Sequence, residues 1–328
     1  GTFVLGTLYS LAAGNTYYVD CKLDSYEGTR GGSWETAFKT IQEGVEKASS
    51  GDTVLVASGD YDEGGRVELG HSNRVAIVGK DITLKAKEGD PAPRIVGAYD
   101  TEAGARLGYS LIPNLGPAAV RCVAVVNSKA VIQGFVLTGG ACGLENNAPG
   151  DKDLHSGGGV VCKKSTAYDL DTKFVDCTIE KCYATRGGGA RGGTFIRCRF
   201  LENQASVNAA AMRDGAIHFC VIARNGTNPA KAAVGYATSV KGHVNNTFVN
   251  NGFYPLDTNG GCHYNALFLK NGMISLKNGV TSVTNCVLPK ATTSADKEYW
   301  GENAGIVYPD YEYLLVAPPL DDFRPVAG

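Results

Sequence analysis

The chain is short of several features that mark special classes of protein. Its longest apolar runs fall well below the ~18–20 residues a helix needs to cross a bilayer, so no membrane-spanning helix is expected. Proline, at 12 of 328 residues, is too scarce for a collagen-like repeat, and the 43 glycines follow no three-residue period. Ten cysteines are present without a single Cys-x-x-Cys pair, which removes the commonest zinc and redox spacings. A net charge of -2 beside 43% apolar residues excludes a disordered chain. A sequence pI near 6.3 argues against a dedicated nucleic-acid binder, whose domain pI usually exceeds about 9. At 328 residues the chain can bury a sizeable core without a disulfide framework.

The small net charge conceals an uneven distribution. Cys177 to Leu256 holds nine Lys/Arg against three Asp/Glu, whereas residues 1–176 sum to -5 and 257–328 to -3. A locally positive field facing an acidic ligand is one reading, and ordinary solvated arginines are the other. The apolar stretch Thr2–Ala13 lacks a basic segment before it, so it reads either as the tail of a secretory signal or as a first strand.

What the chain does have is repetition. Val131–Leu137, Phe174–Ile179, Phe195–Phe200, Ile217–Ile222, Val244–Val249 and Val283–Leu288 share one template: apolar, polar, Cys or a small residue, any residue, apolar. Anchored at 134, 177, 198, 220, 247 and 286, they recur at intervals of 43, 21, 22, 27 and 39 residues. A second template precedes several of them: Gly157–Cys162, Gly187–Arg191, Asn208–Arg213, Lys231–Tyr236 and Asn259–Tyr264. Asn-Gly pairs at 225, 251, 259, 271 and 278 supply residues that accept a left-handed corner.

A unit of about 22 residues with at least two short strands is too short for a βαβ crossover, and a leucine ladder is absent. The pattern predicts an all-β chain, a single-stranded right-handed parallel β-helix (a solenoid) in which equivalent residues of successive coils stack in columns. One inward column is Cys177, Cys198, Cys220, Thr247 and Cys286, where thiols act as small apolar fillers; another is Val160, Ala190, Ala211, Val234 and Cys262. Cys21, Cys122, Cys142, Cys162 and Cys182 fall outside the first column and leave a disulfide open if the chain is exported. Near the N-terminus, Trp34, Phe38, Ile41, Val45 and Ala48 have helical spacing between an N-cap at Ser33 and a stop at Gly51, which predicts an amphipathic helix capping the solenoid. The expected organisation is residues 1–52 for the first strand and capping helix, 53–290 for the coil, and 291–328 for an irregular closing segment, all within one structural domain.

Tyr17-Tyr18-Val19-Asp20, Ser33–Gln42 and Gly51–Tyr61 resemble the N-terminal region of bacterial right-handed parallel β-helix proteins of the pectate-lyase-like superfamily. The Gly-Gly-Gly and Asn-Cys-x-Phe repeats resemble the same group, and Asp322-Phe323-Arg324-Pro325 resembles the opening of its closing motif. The resemblance implies an extracellular or cell-surface location and carbohydrate substrates; the expected protein is a monomer that engages a polysaccharide, with no nucleic-acid partner and no membrane span.

A hydrolase needs paired carboxylates, and the Asn-Thr-Asp, Asp-Asp, Gly-His-Gly and Arg-x-Lys set of polygalacturonases is missing. A lyase neutralises a uronate carboxylate, removes the adjacent proton with a base and expels the glycosidic oxygen. The Arg-x-Pro-x-x-Arg and Trp-x-Asp-His signatures of well-known pectate lyases are also missing, so no catalytic set is carried over. Asp151 and Asp153, with Asp169 and Asp171, flank the Gly157–Cys162 strand and offer hard oxygens for Ca²⁺, although Asp-x-Asp pairs are common in polar loops. If Val160, Ala190 and Ala211 face inward, then Gly159, Gly189, Ala210, Ala233 and Gly261 face outward as a shallow trough. Around it lie Arg191, Arg213, Tyr236, His263 and Tyr264, suited to pairing with carboxylates or sulfates and to stacking on sugar rings. The sequence therefore supports two functions: a polysaccharide lyase using Arg191 or Arg213 as the cation and Tyr236 or His263 for the proton, or a noncatalytic glycan-binding or surface structural (adhesin) module.

Overall fold

In the computed structural model, residues 14–24, 28–102, 115–142, 155–165, 167–226, 232–235, 243–249, 251, 254–257, 262–264, 267–269, 282–284, 287–288 and 306–307 are described. Of these, residues 207, 208, 232–235, 243 and the strands from 254 onward are described as backbone alone. Asp151, Asp153, Tyr236 and Gly261 lie outside the described residues, as do the side chains of Ala233, His263 and Tyr264.

The chain winds as the expected right-handed parallel β-helix. A first sheet of ten strands begins with Thr16–Val19, Thr53–Val56, Thr83–Ala86, Val131–Gln133, Lys173–Val175, Thr194–Ile196 and Ala216–His218. A second sheet of ten contains Arg94–Val96, Val136–Thr138, Thr178–Glu180, Arg199–Leu201, Val221–Ala223 and Thr247–Val249. A third, of eight, contains His71–Val78, Val120–Val126, Val160–Lys163, Ala190–Arg191, Met212–Arg213, Ala232–Gly235 and Tyr254–Asp257. A small fourth sheet, Ala141–Cys142, Tyr183–Arg186 and Gln204–Asn208, links the second to the third. Pairing between coils is parallel and in register, as in Lys173↔Thr194↔Ala216, Phe174↔Phe195↔Ile217 and Val175↔Ile196↔His218. Among the described residues no helix is long and apolar enough to cross a membrane.

Register makes the core a set of columns. Ile132, Phe174, Phe195 and Ile217 stack on the first sheet, with the rings of Phe174 and Phe195 parallel at 4.8 Å. Ile95, Leu137, Ile179, Phe200, Ile222 and Phe248 stack on the second. All ten are fully buried, and each such side chain contributes about 1.5–3 kcal/mol of burial free energy.

The six-residue template proves to be two strands rather than one. Each of the five copies whose corner is described bends at a left-handed residue, Gly134, Asp176, Arg197, Phe219 or Asn245, and passes from the first sheet to the second. Behind this corner the inward column is Phe135, Cys177, Cys198, Cys220 and Asn246, so Thr247 is displaced by one and pairs with Val221. A second left-handed corner, Gly139, Lys181, Glu202 and Arg224, leads into an inward column of Cys182, Asn203, Asn225 and Asn251. Here the buried amides form a ladder. Asn225 Oδ1 accepts from Asn203 N at 2.9 Å, its Nδ2 donates to Phe200 O at 2.8 Å, and its own N–H donates to Asn251 Oδ1 at 3.0 Å. Asn225 and Asn251, expected at turns, are therefore interior struts.

At the N-terminal end, the expected single helix from Ser33 to Gly51 is two pieces. Trp34–Thr36 is one 3-10 turn, Ala37 and Phe38 are extended, and the α-helix spans Ile41–Lys47. Thr40 explains the restart: its hydroxyl accepts from Glu43 N while Glu43 reaches back to Thr40 N, satisfying two exposed donors reciprocally. The helix buries Ile41 and Val45 in the core, and the Gln42 amide bonds both backbone groups of Ala76. The eight described cysteines are free thiols, which closes the disulfide alternative for Cys21, Cys122, Cys142, Cys162 and Cys182 in this structure.

Candidate functional site

Two-residue strands give the third sheet little alternation to fix its register, and the sequence reading was one residue out. Ala190 pairs with Met212 rather than Ala211, and Arg191 with Arg213. Cys262 leaves the sheet altogether: Cys262–Tyr264 pairs with His243–Val244 and Ser282–Thr284 in the first sheet, so His263 and Tyr264 do not share the column of Arg191 and Arg213. The outer column is Ala76, Ala124, Val161, Arg191 and Arg213, continued by the backbone of Gly235 and Asp257.

The trough of small residues is also corrected. Gly159, Gly189 and Ala210 are buried and sit backbone on backbone: Gly159 N donates to Gly188 O at 3.1 Å and Gly189 N to Ala210 O at 2.9 Å. A side chain at Gly159 would meet Ile179 and Cys182 from the core side. These positions are small because successive coils approach closely here, not because they expose a floor to ligand.

Past that packed corner, the arginines gather. Arg191 is 6% exposed and held on three sides. Its Nε donates to Asp214 Oδ2 at 3.0 Å, its Nη1 to Ser156 Oγ at 2.7 Å, and its guanidinium lies 3.9 Å from the centre of the Tyr168 ring. Tyr168 reaches it because Lys163 and Tyr168 form an antiparallel bridge that folds the following segment back over Ala76, Ala124 and Val161. Arg213 donates to the same Asp214 oxygen at 3.3 Å, with a side chain 17% exposed. Arg186, one position before the triple glycine, adds a third guanidinium. Its Nε is buried and makes no hydrogen bond. Burial pulls the Arg213 guanidinium below its usual range; Asp214 opposes this, and the like charges of Arg191 and Arg186 add to it. Arg191 and Arg213 thus share one carboxylate, and Arg186 adds a like charge beside Arg213.

A second layer fixes the first. Arg121 is fully buried and donates to Gly157 O at 2.7 Å, Ser156 O at 3.1 Å, Asn73 Oδ1 at 2.7 Å and Cys142 Sγ at 2.7 Å. Ser156 therefore joins Arg121, through its carbonyl, to Arg191, through its hydroxyl. His155 meets His71 edge to face at 6.0 Å beside them. Ser156 and Arg186 occupy one column, each immediately before a Gly-Gly-Gly run. That position is the sequence signal available for Ser156 and Arg186; Tyr168 and Arg121 carry no comparable one.

The acidic pair Asp169 and Asp171 is bound from within. Lys164 Nζ lies 3.0 Å from Asp169 and 2.6 Å from Asp171, and Asp169 further accepts from Asp171 N and Thr172 Oγ1. The lysine holds Asp171 below the usual carboxylate range. Among the described residues no group of three or more His, Cys, Asp or Glu side chains is placed to hold a metal ion. As a Ca²⁺ site, Asp169 and Asp171 would have to exchange this lysine for the ion.

No protein-family model matches the chain, and no curated protein matches it in sequence. Among solved structures it is similar to a GH136 lacto-N-biosidase from Eubacterium ramulus, with 9% identity and a TM-score of 0.45 over 84% of this chain and 54% of that one. It is also similar to pectate lyase Pel9A, with 11% identity and a TM-score of 0.40 over 93% and 84% of the two chains. A deglycosylated pectin methylesterase from Aspergillus niger gives 12% identity and a TM-score of 0.37 over 92% and 98%. The chain spans about half the length of the lacto-N-biosidase. At these identities the likeness concerns the course of the coil, and nothing about a residue or a reaction is taken from it.

Proposed function

We propose that the outer face of the third sheet binds an acidic polysaccharide outside the cell, with its carboxylates or sulfates meeting Arg186 and Arg213 while Arg191 positions Arg213 through Asp214. The observation that carries this reading is the buried Arg186 Nε, which makes no hydrogen bond, near Arg213, which shares Asp214 with Arg191. A guanidinium fork satisfies carboxylate and sulfate oxygens with two parallel hydrogen bonds, and a partly desolvated site makes each bond count for more. Arg191 is too enclosed to touch a polymer and serves as a positioning residue.

Binding is favoured over β-elimination because a lyase needs a free base next to its cation. Asp214, the carboxylate shown against these arginines among the described residues, is engaged by both Arg191 and Arg213. The sequence-derived proton carriers Tyr236 and His263 lie outside the described side chains.

Calorimetric titration with polygalacturonate, alginate and heparin tests the proposal. At least one should bind, with affinity falling as salt rises, and Arg186→Ala and Arg213→Ala should each weaken it about tenfold, equivalent to roughly 1.4 kcal/mol. Absence of binding to all three, or binding indifferent to both variants, would overturn it. An ultraviolet signal from a conjugated double bond in the same mixtures would replace binding by cleavage.

A further inference from the structure

The corner between the first and second sheets carries a feature that the arginine cluster does not explain. Its left-handed position is filled by Gly134, Asp176, Arg197, Phe219 and Asn245 in successive coils. Glycine and asparagine accept a positive φ readily, aspartate does so through its short polar side chain, and a bulky aromatic does so least well. Phe219 is the one aromatic among the eleven described non-glycine residues in that region, with a φ of 58°. It is also 54% exposed, one of three large apolar side chains that the described surface leaves open. The position therefore carries both backbone strain and an apolar ring in water, and packing recovers neither.

Its surroundings are suited to a sugar. One coil away, Arg197 is joined to Asp176 by two parallel hydrogen bonds of 2.7 and 2.8 Å, on side chains that remain 56% and 42% exposed. The pair is neutral overall, yet its outer N–H groups and oxygens point to solvent as an adjacent donor and acceptor. His218, immediately before Phe219, has its imidazole pushed down by burial and is uncharged at neutral pH, so it adds a donor and an acceptor without adding charge. Ile196, half-buried, pairs with His218 on the outer row of the first sheet.

We infer that Phe219 is a stacking platform for a neutral hexopyranose ring, whose hydroxyls are read by Arg197, Asp176 and His218. The weakly positive C–H bonds of a pyranose face suit the negative face of an aromatic ring, and a few convergent polar groups beside an apolar surface give orientation. A balanced ion pair offers no net attraction to a uronate or sulfate, which sets the ligand class apart from that of the arginine cluster. The site does not depend on the acidic-glycan reading.

Titration with cellohexaose, mannohexaose and maltohexaose, followed by saturation-transfer NMR and calorimetry, tests the inference. At least one should bind the wild-type protein, with saturation transferred to the ring's C–H protons. Phe219→Ala should weaken it at least about tenfold, and Phe219→Trp should retain it. Phe219→Gly should raise the melting temperature by about 2 °C, because relief of the positive φ outweighs the modest packing of a half-exposed ring. The inference is overturned if none of the three binds, if Phe219→Ala binds equally well, or if Phe219→Gly lowers the melting temperature. Arg186→Ala and Arg213→Ala should leave neutral binding intact, so failure at the arginine cluster and failure here are read separately.

Discussion

Asp214 and Arg191 belong to neighbouring coils, yet a single carboxylate oxygen at 3.0 Å ties them together where both side chains are almost fully removed from water. Arg213 leans on the same oxygen. Deleting one partner of a buried pair costs about 3–5 kcal/mol, most of it the penalty of the charge left behind. Asp214→Asn keeps the size and the tolerance of a positive φ, here 54°, and removes only the charge. The expected loss is about 3 kcal/mol in urea denaturation at neutral pH. A loss under about 0.5 kcal/mol would show that the guanidiniums do not need their carboxylate.

Gly188 lies where three coils crowd together. A Cβ there would fall on Gln204 O, closer than real Cβ contacts come, and at 2.7 Å from Ala210 O. Backbone cannot yield as a flexible side chain does, so Gly188→Ala should misfold or lose at least about 3 kcal/mol. Soluble expression and thermal melting are the readouts.

Asn225 uses its amide to satisfy the carbonyls of Phe200 and Ala223, at 2.8 and 3.0 Å, while accepting from Asn203 N. Truncation strands buried backbone groups, each costing about 1–3 kcal/mol. Asn225→Ala should therefore cost about 3 kcal/mol or more by urea denaturation, and hydrogen exchange should quicken at Asn203. The isosteric but apolar Asn225→Leu should do no better.

Alkaline pH should weaken the fold. Burial pushes the thiols of Cys162, Cys177, Cys182 and Cys198 upward, and Tyr99 is raised to about 12, also by burial. A group whose native pKa is raised holds its proton longer when folded than unfolded. Above the unfolded thiol value of about 8.5 the unfolded chain binds fewer protons, so stability declines as pH rises, by up to about 1.4 kcal/mol per pH unit for each thiol. Urea midpoints from pH 7 to 10 should fall, and Cys177→Ala should make the decline shallower. A flat profile would count against the packed thiol column. Iodoacetamide at pH 8 should label Cys21, half-buried at the cap, well before Cys177 or Cys198.

The coil was readable because its repeat places apolar residues and cysteines at recurring intervals, and the Cys177, Cys198, Cys220 column stands where the sequence puts it. The corners were not readable, since Arg197 and Phe219 hold left-handed backbone that their residue types do not advertise. Missing them shifted Thr247 for Asn246 and Ala211 for Met212 by one position. With strands two residues long, hydrophobic alternation is too brief to reveal such a slip. Of the candidate site, Arg191 and Arg213 were visible as cations following small-residue runs. Asp214's embrace of both, and the partners Ser156, Tyr168 and Arg121, arise from coils 20 to 90 residues apart and leave no local trace.

The amide struts at Asn203, Asn225 and Asn251 also act as a pawl on the winding. Sliding one of these coils by a single step would replace the fitted amide of Asn203 by Glu202 or Gln204, or that of Asn225 by Arg224 or Gly226, at carbonyls that need its donor, so the turns lock against creep. A single insertion between Glu202 and Gln204 should then unseat the coils that follow.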